Sequence, residues 1–112
     1  VLHKPVWEHS DETPFARIEN ALSMRPYSVF YGHEHAYLHE RRNGRDYIRL
    51  GTTGGVQNLK QEMAIDHVTL VTVSGTDVDI ANLRLSGIFG KDGRIPLNGD
   101  ALCFDVRACG PQ

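Results

Sequence analysis

The order of apolar periods, turns and breakers predicts an α/β fold: a strand–helix–strand unit followed by β-hairpins. Three observations carry this. Phe15, Ile18 and Leu22 recur at i, i+3 and i+7 with Ala21 beside them, the spacing of one amphipathic helix. β-prone stretches bracket that helix, Val1-Leu2 before it and Tyr27 to Tyr31 after it. Two later pairs of β-prone runs are joined by turn chemistry, at Asn43-Gly44 and at Ser74-Gly75-Thr76-Asp77.

In chain order, a short strand at Val1-Leu2 is expected to end at His3, because Pro5 lacks the N–H that a ladder needs. Residues 8–13 are polar and read as an exposed loop. Thr13 is the expected N-cap and Pro14 the first helical residue, giving a helix over about residues 14–24 that Pro26 forces to end by Arg25. Tyr27 to Tyr31 is apolar on both faces, as in a strand covered on each side. The first hairpin has arms Ala36 to Arg42 and Arg45 to Leu50, with Asn43-Gly44 as a type I′ turn pair. Gly51-Thr52-Thr53-Gly54-Gly55 is glycine-rich but lacks the Lys-Ser/Thr of a phosphate-binding P-loop. The second hairpin spans His67 to Val73 and Val78 to Leu85. Its apolar alternation slips from Ile80 to Leu83, which predicts a bulge near Ala81-Asn82. Gly87 to Asn98 reads as a loop with a turn at Lys91-Asp92-Gly93, and Leu102 to Val106 as a short last strand.

The 112 residues suit one domain with a modest core, divisible into a first half, 1–56, and a run of C-terminal strands, 57–112. A net charge of −2 gives no general pull toward nucleic acid or membrane surfaces, and no basic patch stands out. No apolar run approaches the roughly 20 residues that span a bilayer, and no basic segment followed by an apolar core opens the chain. The chain starts Val-Leu-His, inside an expected strand, so a processed or truncated piece is expected and the compartment stays open. Cys103 and Cys109 fit either a local disulfide or two free thiols; their spacing is not that of a zinc knuckle.

Histidines are unevenly placed. His3, His9, His33, His35 and His39 fall in the first 39 residues, and only His67 lies beyond. Gly32-His33-Glu34-His35 follows an expected strand, where glycine permits a sharp turn. In an extended segment residues i and i+2 share a side, so His33 and His35 are expected to face one site. Neutral imidazole suits Zn, Fe, Mn or Ni. A right-handed strand–helix–strand crossover brings His3 to the same sheet edge, at the carboxyl ends of parallel strands. The plain alternative is a pair of exposed loop histidines. His39 reads as an exposed hairpin residue, and His9 as an exposed residue of the polar loop.

Leu2-His3-Lys4-Pro5-Val6-Trp7, Val29-Phe30-Tyr31-Gly32-His33-Glu34-His35-Ala36-Tyr37 and the Asn43-Gly44 hairpin leading to Leu50-Gly51-Thr52-Thr53-Gly54-Gly55 together resemble the calcineurin-like metallophosphoesterases, which include the purple acid phosphatases. The resemblance covers residues 1–56 well and residues 67–85 weakly. It implies the C-terminal part of that domain, a β-sandwich with flanking helices. It implies a parent that hydrolyses phosphate mono- or diesters with two divalent metals (Fe, Mn or Zn). His3 and His33 would match ligands of the second metal and His35 a ligand of the first. The family's earlier motifs, an Asp and a His, a bridging Asp and an Asn-His pair, have no counterpart here. No catalytic residue or substrate-binding residue is therefore assigned. The chain alone is expected to hold one metal or none, to be inactive, and to pair with the missing N-terminal half or with itself through an exposed sheet edge. The competing readings are a non-catalytic binding module that keeps the sheet, and an unrelated histidine-metal enzyme. The latter lacks any His-Glu-x-x-His or Cys-His zinc spacing. An Asp-x-His and a Gly-Asp-x-x-Asp block upstream separates the phosphoesterase reading from the binding module.

Overall fold

The computed structural model describes residues 1–8, 14–97 and 102–104. Its elements are a 3₁₀ turn at Val6–Glu8, helix α1 at Pro14–Leu22, and strands β1 at Ser28–Tyr31, β2 at Leu38–Arg42, β3 at Arg45–Arg49, β4 at Val68–Ser74, β5 at Asp77–Arg84 and β6 at Gly87–Phe89. The expected α/β architecture, a helix-flanked metallophosphoesterase-type sandwich, is not what forms. The described residues make a small, mostly β domain with two three-stranded sheets and one α-helix. The reason lies in periodicity. Only residues 14–22 carry a helical period; elsewhere alternation and tight turns dominate, so the second layer available to the first sheet is another sheet.

In the first sheet the order is β1-β3-β2, with β1 parallel to β3 and β2 antiparallel to it. Asn43 and Gly44 take φ of 53° and 72°, the left-handed values that a type I′ turn requires, and they close the β2–β3 hairpin as expected. The strand at 27–31 is present as β1. Val29 and Tyr31 pack on one face with Trp7 and Tyr47, joined by Phe15 of α1. Phe30 packs on the other face against Tyr37, Ile48, Ile65 and Ile80, the cluster that joins the two sheets. Trp7 sits edge-on to Tyr31 and Tyr47, with ring centroids 4.8 and 5.0 Å apart. Ring pairs of this kind add about 0.5–1.5 kcal/mol beyond the area they bury. Its burial makes the 3₁₀ turn after Pro5 a structural element.

The helix begins at Pro14 as expected and ends two residues early, at Leu22; its expected N-cap, Thr13, lies outside the described residues. Its inward face differs from the apolar stripe. Ile18 is 53% exposed, while Glu19 is buried. Glu19 accepts hydrogen bonds from Arg42 Nε at 2.7 Å and Nη2 at 3.1 Å, from Asn43 Nδ2, and from the Tyr47 hydroxyl. The helix is thus fixed to the hairpin by a charged contact that a hydrophobic period does not reveal.

The second sheet is an antiparallel meander, β4-β5-β6. The bulge expected at Ala81-Asn82 is absent. Register runs from Val68 opposite Leu83 to Ser74 opposite Asp77 without a slip. Asn82 is fully buried, so the inward row is Val78, Ile80 and Asn82, while Leu83 and Leu85 point outward. The apparent phase change came from a polar residue occupying a core position. The loop expected at Gly87 to Asn98 contains β6, although its turn at Lys91-Asp92-Gly93 is present, with Gly93 N–H donating to Gly90 O. Of the expected strand at 102–106, Cys103 makes an isolated bridge with Gly87; residues 105 and 106 lie outside the described residues. No helix among the described residues is long and apolar enough to cross a membrane.

Candidate metal centre

Two hydrogen bonds tie the first residues to β1. Leu2 N–H donates to Phe30 O at 3.0 Å, and Gly32 N–H donates to His3 O at 2.9 Å. Both run in the parallel sense, but a regular parallel ladder would use Leu2 O as the second acceptor. The one-residue offset leaves residues 1–3 outside any strand, against expectation, yet sets His3 beside the end of β1.

Past Gly32 the backbone is not extended. His33 and His35 have φ of 79° and 56°, the left-handed region that side-chain-bearing residues seldom enter. The expected turning role of Gly32 is not used: its φ is not positive, and a Cβ there would meet nothing closer than 3.8 Å. Strain falls on the two histidines instead. Such backbone strain costs about 1–3 kcal/mol per residue and clusters at ligand clamps and active sites.

The strained turn brings His33 to His3. His33 Nδ1 and His3 Nε2 are 3.4 Å apart, with ring centroids 5.3 Å apart and planes at 85°. Both rings are exposed. His35 faces elsewhere: its Nδ1 is hydrogen-bonded to Val56 O, which places the proton on Nδ1 and leaves Nε2 as the lone-pair nitrogen. Because the turn is not extended, the shared side expected for His33 and His35 does not arise. Among the described residues no group of three or more His, Cys, Asp or Glu is arranged around one metal position. The pair His3–His33 does fit half of a metal site. Zn–N bonds of about 2.0–2.1 Å at a tetrahedral angle separate two ligand nitrogens by about 3.3 Å, close to the spacing seen here.

The turn is held from behind. Asn58 N–H donates to His35 O at 3.3 Å, Tyr37 N–H donates to Met63 O at 2.9 Å, and buried Arg49 donates Nε–H to Ala36 O at 2.8 Å. Arg49 was not singled out by the sequence, where it is one more basic residue on a hairpin arm.

The remaining histidines have other roles. His39 is half-buried rather than exposed, with Nε2 at 2.8 Å from Asp46 Oδ1. Asp46 also meets Arg41 at 3.0 Å and Lys91 at 2.9 Å. Burial pushes its carboxyl up, but the hydrogen bonds from His39 and Lys91 outweigh this and hold it below the ordinary range. His67 is buried just before β4. Gly51 N–H donates to its Nε2 at 2.9 Å, and its Nδ1–H donates to Asn82 Oδ1 at 3.1 Å. Burial is the main cause that lowers its pKa. His9 lies outside the described residues. Cys103 is disulfide-bonded, so it offers no thiolate to a metal; Cys109 lies outside the described residues. No protein-family model matches the chain, and no curated protein matches it at a significant level.

Proposed function

We propose that this chain is the C-terminal part of a calcineurin-like metallophosphoesterase whose complete form hydrolyses phosphate mono- or diesters. The observation that carries the reading is the His3–His33 pair, with two ring nitrogens 3.4 Å apart at the end of β1 on a strained turn. Two nitrogens so placed share a proton or a cation. His3 and His33 would hold one divalent cation, and His35, with Nδ1 fixed on Val56 O, would offer Nε2 to another. A backbone carbonyl on the far nitrogen is the usual outer support of a metal-bound histidine. When bound, paired cations clamp phosphoryl oxygens and acidify water at neutral pH. The residues described here supply imidazoles, an ordered turn and the Arg49–Ala36 tether; they supply no bridging carboxylate. The two-metal site, the phosphate-ester substrate and the N-terminal half as partner thus rest on the motif resemblance. A second copy is a further partner of the reading, through β4, an edge strand with Val68, Leu70 and Val73 each more than half exposed.

The competing reading is a non-catalytic module that retains the sheet. It is favoured by the separation of His35 from the His3–His33 pair. Calorimetric titration with Zn(II) and assay on a chromogenic phosphomonoester with Mn(II) or Zn(II) test the proposal. The expected result is one Zn site at most, abolished in His3→Ala with His33→Ala, and negligible turnover by this chain alone. Zn affinity unchanged in that double variant, or turnover that survives loss of His33 and His35, overturns it.

A further inference from the structure

Arg49 is the last residue of β3 and only 8% exposed. Its Nε–H is spent on Ala36 O. Among the described residues the two Nη groups make no hydrogen bond, and Arg49 is absent from the five ion pairs. No side-chain nitrogen or oxygen of the described residues is both fully sealed from solvent and without a partner. The Nη groups therefore reach open space. Arg49 is also one of the residues that line a cavity of about 430 Å³, with Tyr37, Leu38, Gln61, Met63 and Arg94.

A guanidinium kept this deep without a carboxylate is costly unless its remaining N–H groups find acceptors. The acids around the cavity are already engaged. Glu62 pairs with Arg94 at 3.0 Å. Asp92 Oδ1 accepts from the backbone N–H of Arg94 and of Ile95. His39 directs Nε2 to Asp46. Arg49 forms an ion pair with none of these acids, and Glu40, on the same face of the first sheet, accepts from the Tyr31 hydroxyl at 2.9 Å; the remaining donors of Arg49 form the planar fork that matches two oxygens of a carboxylate or phosphate. The volume falls within the range of small-molecule sites.

We infer that the Arg49 cavity is a binding site for a small molecule bearing an oxyanion, a carboxylate or a phosphate, received by the Nη groups. It is a different place from the His3–His33 pair and does not depend on the metal reading.

The test is a titration of the intact ¹⁵N-labelled chain in EDTA with sodium phosphate and, separately, sodium acetate, each against sodium chloride at matched ionic strength. The expected result is saturable movement of the Arg49 Nε–Hε signal and of the backbone amides of Leu38 and Met63, absent with chloride. Saturation with phosphate alone assigns a phosphorylated ligand, and with acetate alone a carboxylate; both support the site. Arg49→Lys, which keeps the charge but loses the fork, is expected to weaken binding about tenfold. The His3→Ala with His33→Ala variant is expected to leave it unchanged, which separates failure here from failure of the metal reading. Movement that is linear and equal for all three salts, or saturation centred on His3 and His33, overturns the inference. Because the wild-type signals decide this, the result stands even if Arg49→Lys fails to fold.

Discussion

Replacing Asn82 with Ala should be among the most damaging single changes away from the histidine pair. Asn82 is fully buried in β5 and spends its whole amide. Oδ1 accepts from Thr69 Oγ1 at 2.7 Å and from His67 Nδ1–H at 3.1 Å; Nδ2 donates to the Tyr37 hydroxyl and to Gly90 O, both at 3.0 Å. These contacts join β5 to β4, to the segment before β2 and to the end of β6. In Asn82→Ala the Tyr37 hydroxyl still donates to Lys91 O, and Thr69, being half-buried, gains water. Gly90 O keeps the Gly93 N–H and His67 Nδ1–H keeps Thr69, so the loss is that of four hydrogen bonds. Each is worth about 0.5–1.5 kcal/mol net, and the vacated volume adds to that. A loss of about 3–5 kcal/mol is expected, which for a chain near 100 residues lowers the melting midpoint by about 15 °C or more. Urea denaturation followed by tryptophan fluorescence reads it through Trp7, the single tryptophan. The cycle with His67→Ala should show a coupling of at least about 1 kcal/mol. A loss below about 1 kcal/mol, or additive single and double variants, would refute the reasoning.

Two further outcomes follow from the charged contacts. His67 has its pKa lowered chiefly by burial, opposed by its bond to Asn82 and aided by nearby Arg84. The unfolded chain therefore takes up its proton first. Stability is full above the unfolded value of about 6.5 and declines as pH falls from there toward the folded value. Denaturation midpoints between pH 8 and pH 5 should show this slope, and His67→Gln should flatten it; an unchanged slope rejects the assignment. Glu19 has its carboxyl lowered by the hydrogen bonds from Arg42 first, against burial. Glu19→Gln should cost about 2 kcal/mol at pH 7, below the full penalty of a buried pair because Arg42 is 39% exposed and stays hydrated. The difference from wild type should fade as pH drops through the folded value, which lies below that of an ordinary Glu carboxyl; a constant difference down to pH 2.5 excludes the carboxylate as its source.

Local signals carried well where they concern neighbours along the chain. Asn43-Gly44 gives a type I′ hairpin because both residues tolerate positive φ, and Pro14 and Pro26 bracket the helix because proline fixes φ and removes a donor. The signals misled where one side chain stood for a whole pattern. Asn82 at an inward position looked like a slip in register, and Glu19 among apolar residues hid the inward face of α1. Both are buried because partners distant in sequence satisfy them, Tyr37 and His67 for one, Arg42 and Tyr47 for the other. Periodicity reads burial as apolar and cannot register a polar group whose partner lies far along the chain.

The sequence by itself determined the hairpins and the one α-helix of the described residues. Each depends on contacts within a few residues and on backbone preferences that local residue types set. Only the tertiary structure decided that the two sheets meet through Phe30, Tyr37, Ile48, Ile65 and Ile80, that His3 meets His33 while His35 turns to Val56, and that Arg49 belongs to no ion pair of the described residues. Those outcomes rest on which segments pack together and on left-handed backbone at His33 and His35, a conformation that side-chain-bearing residues adopt only where surrounding contacts hold it.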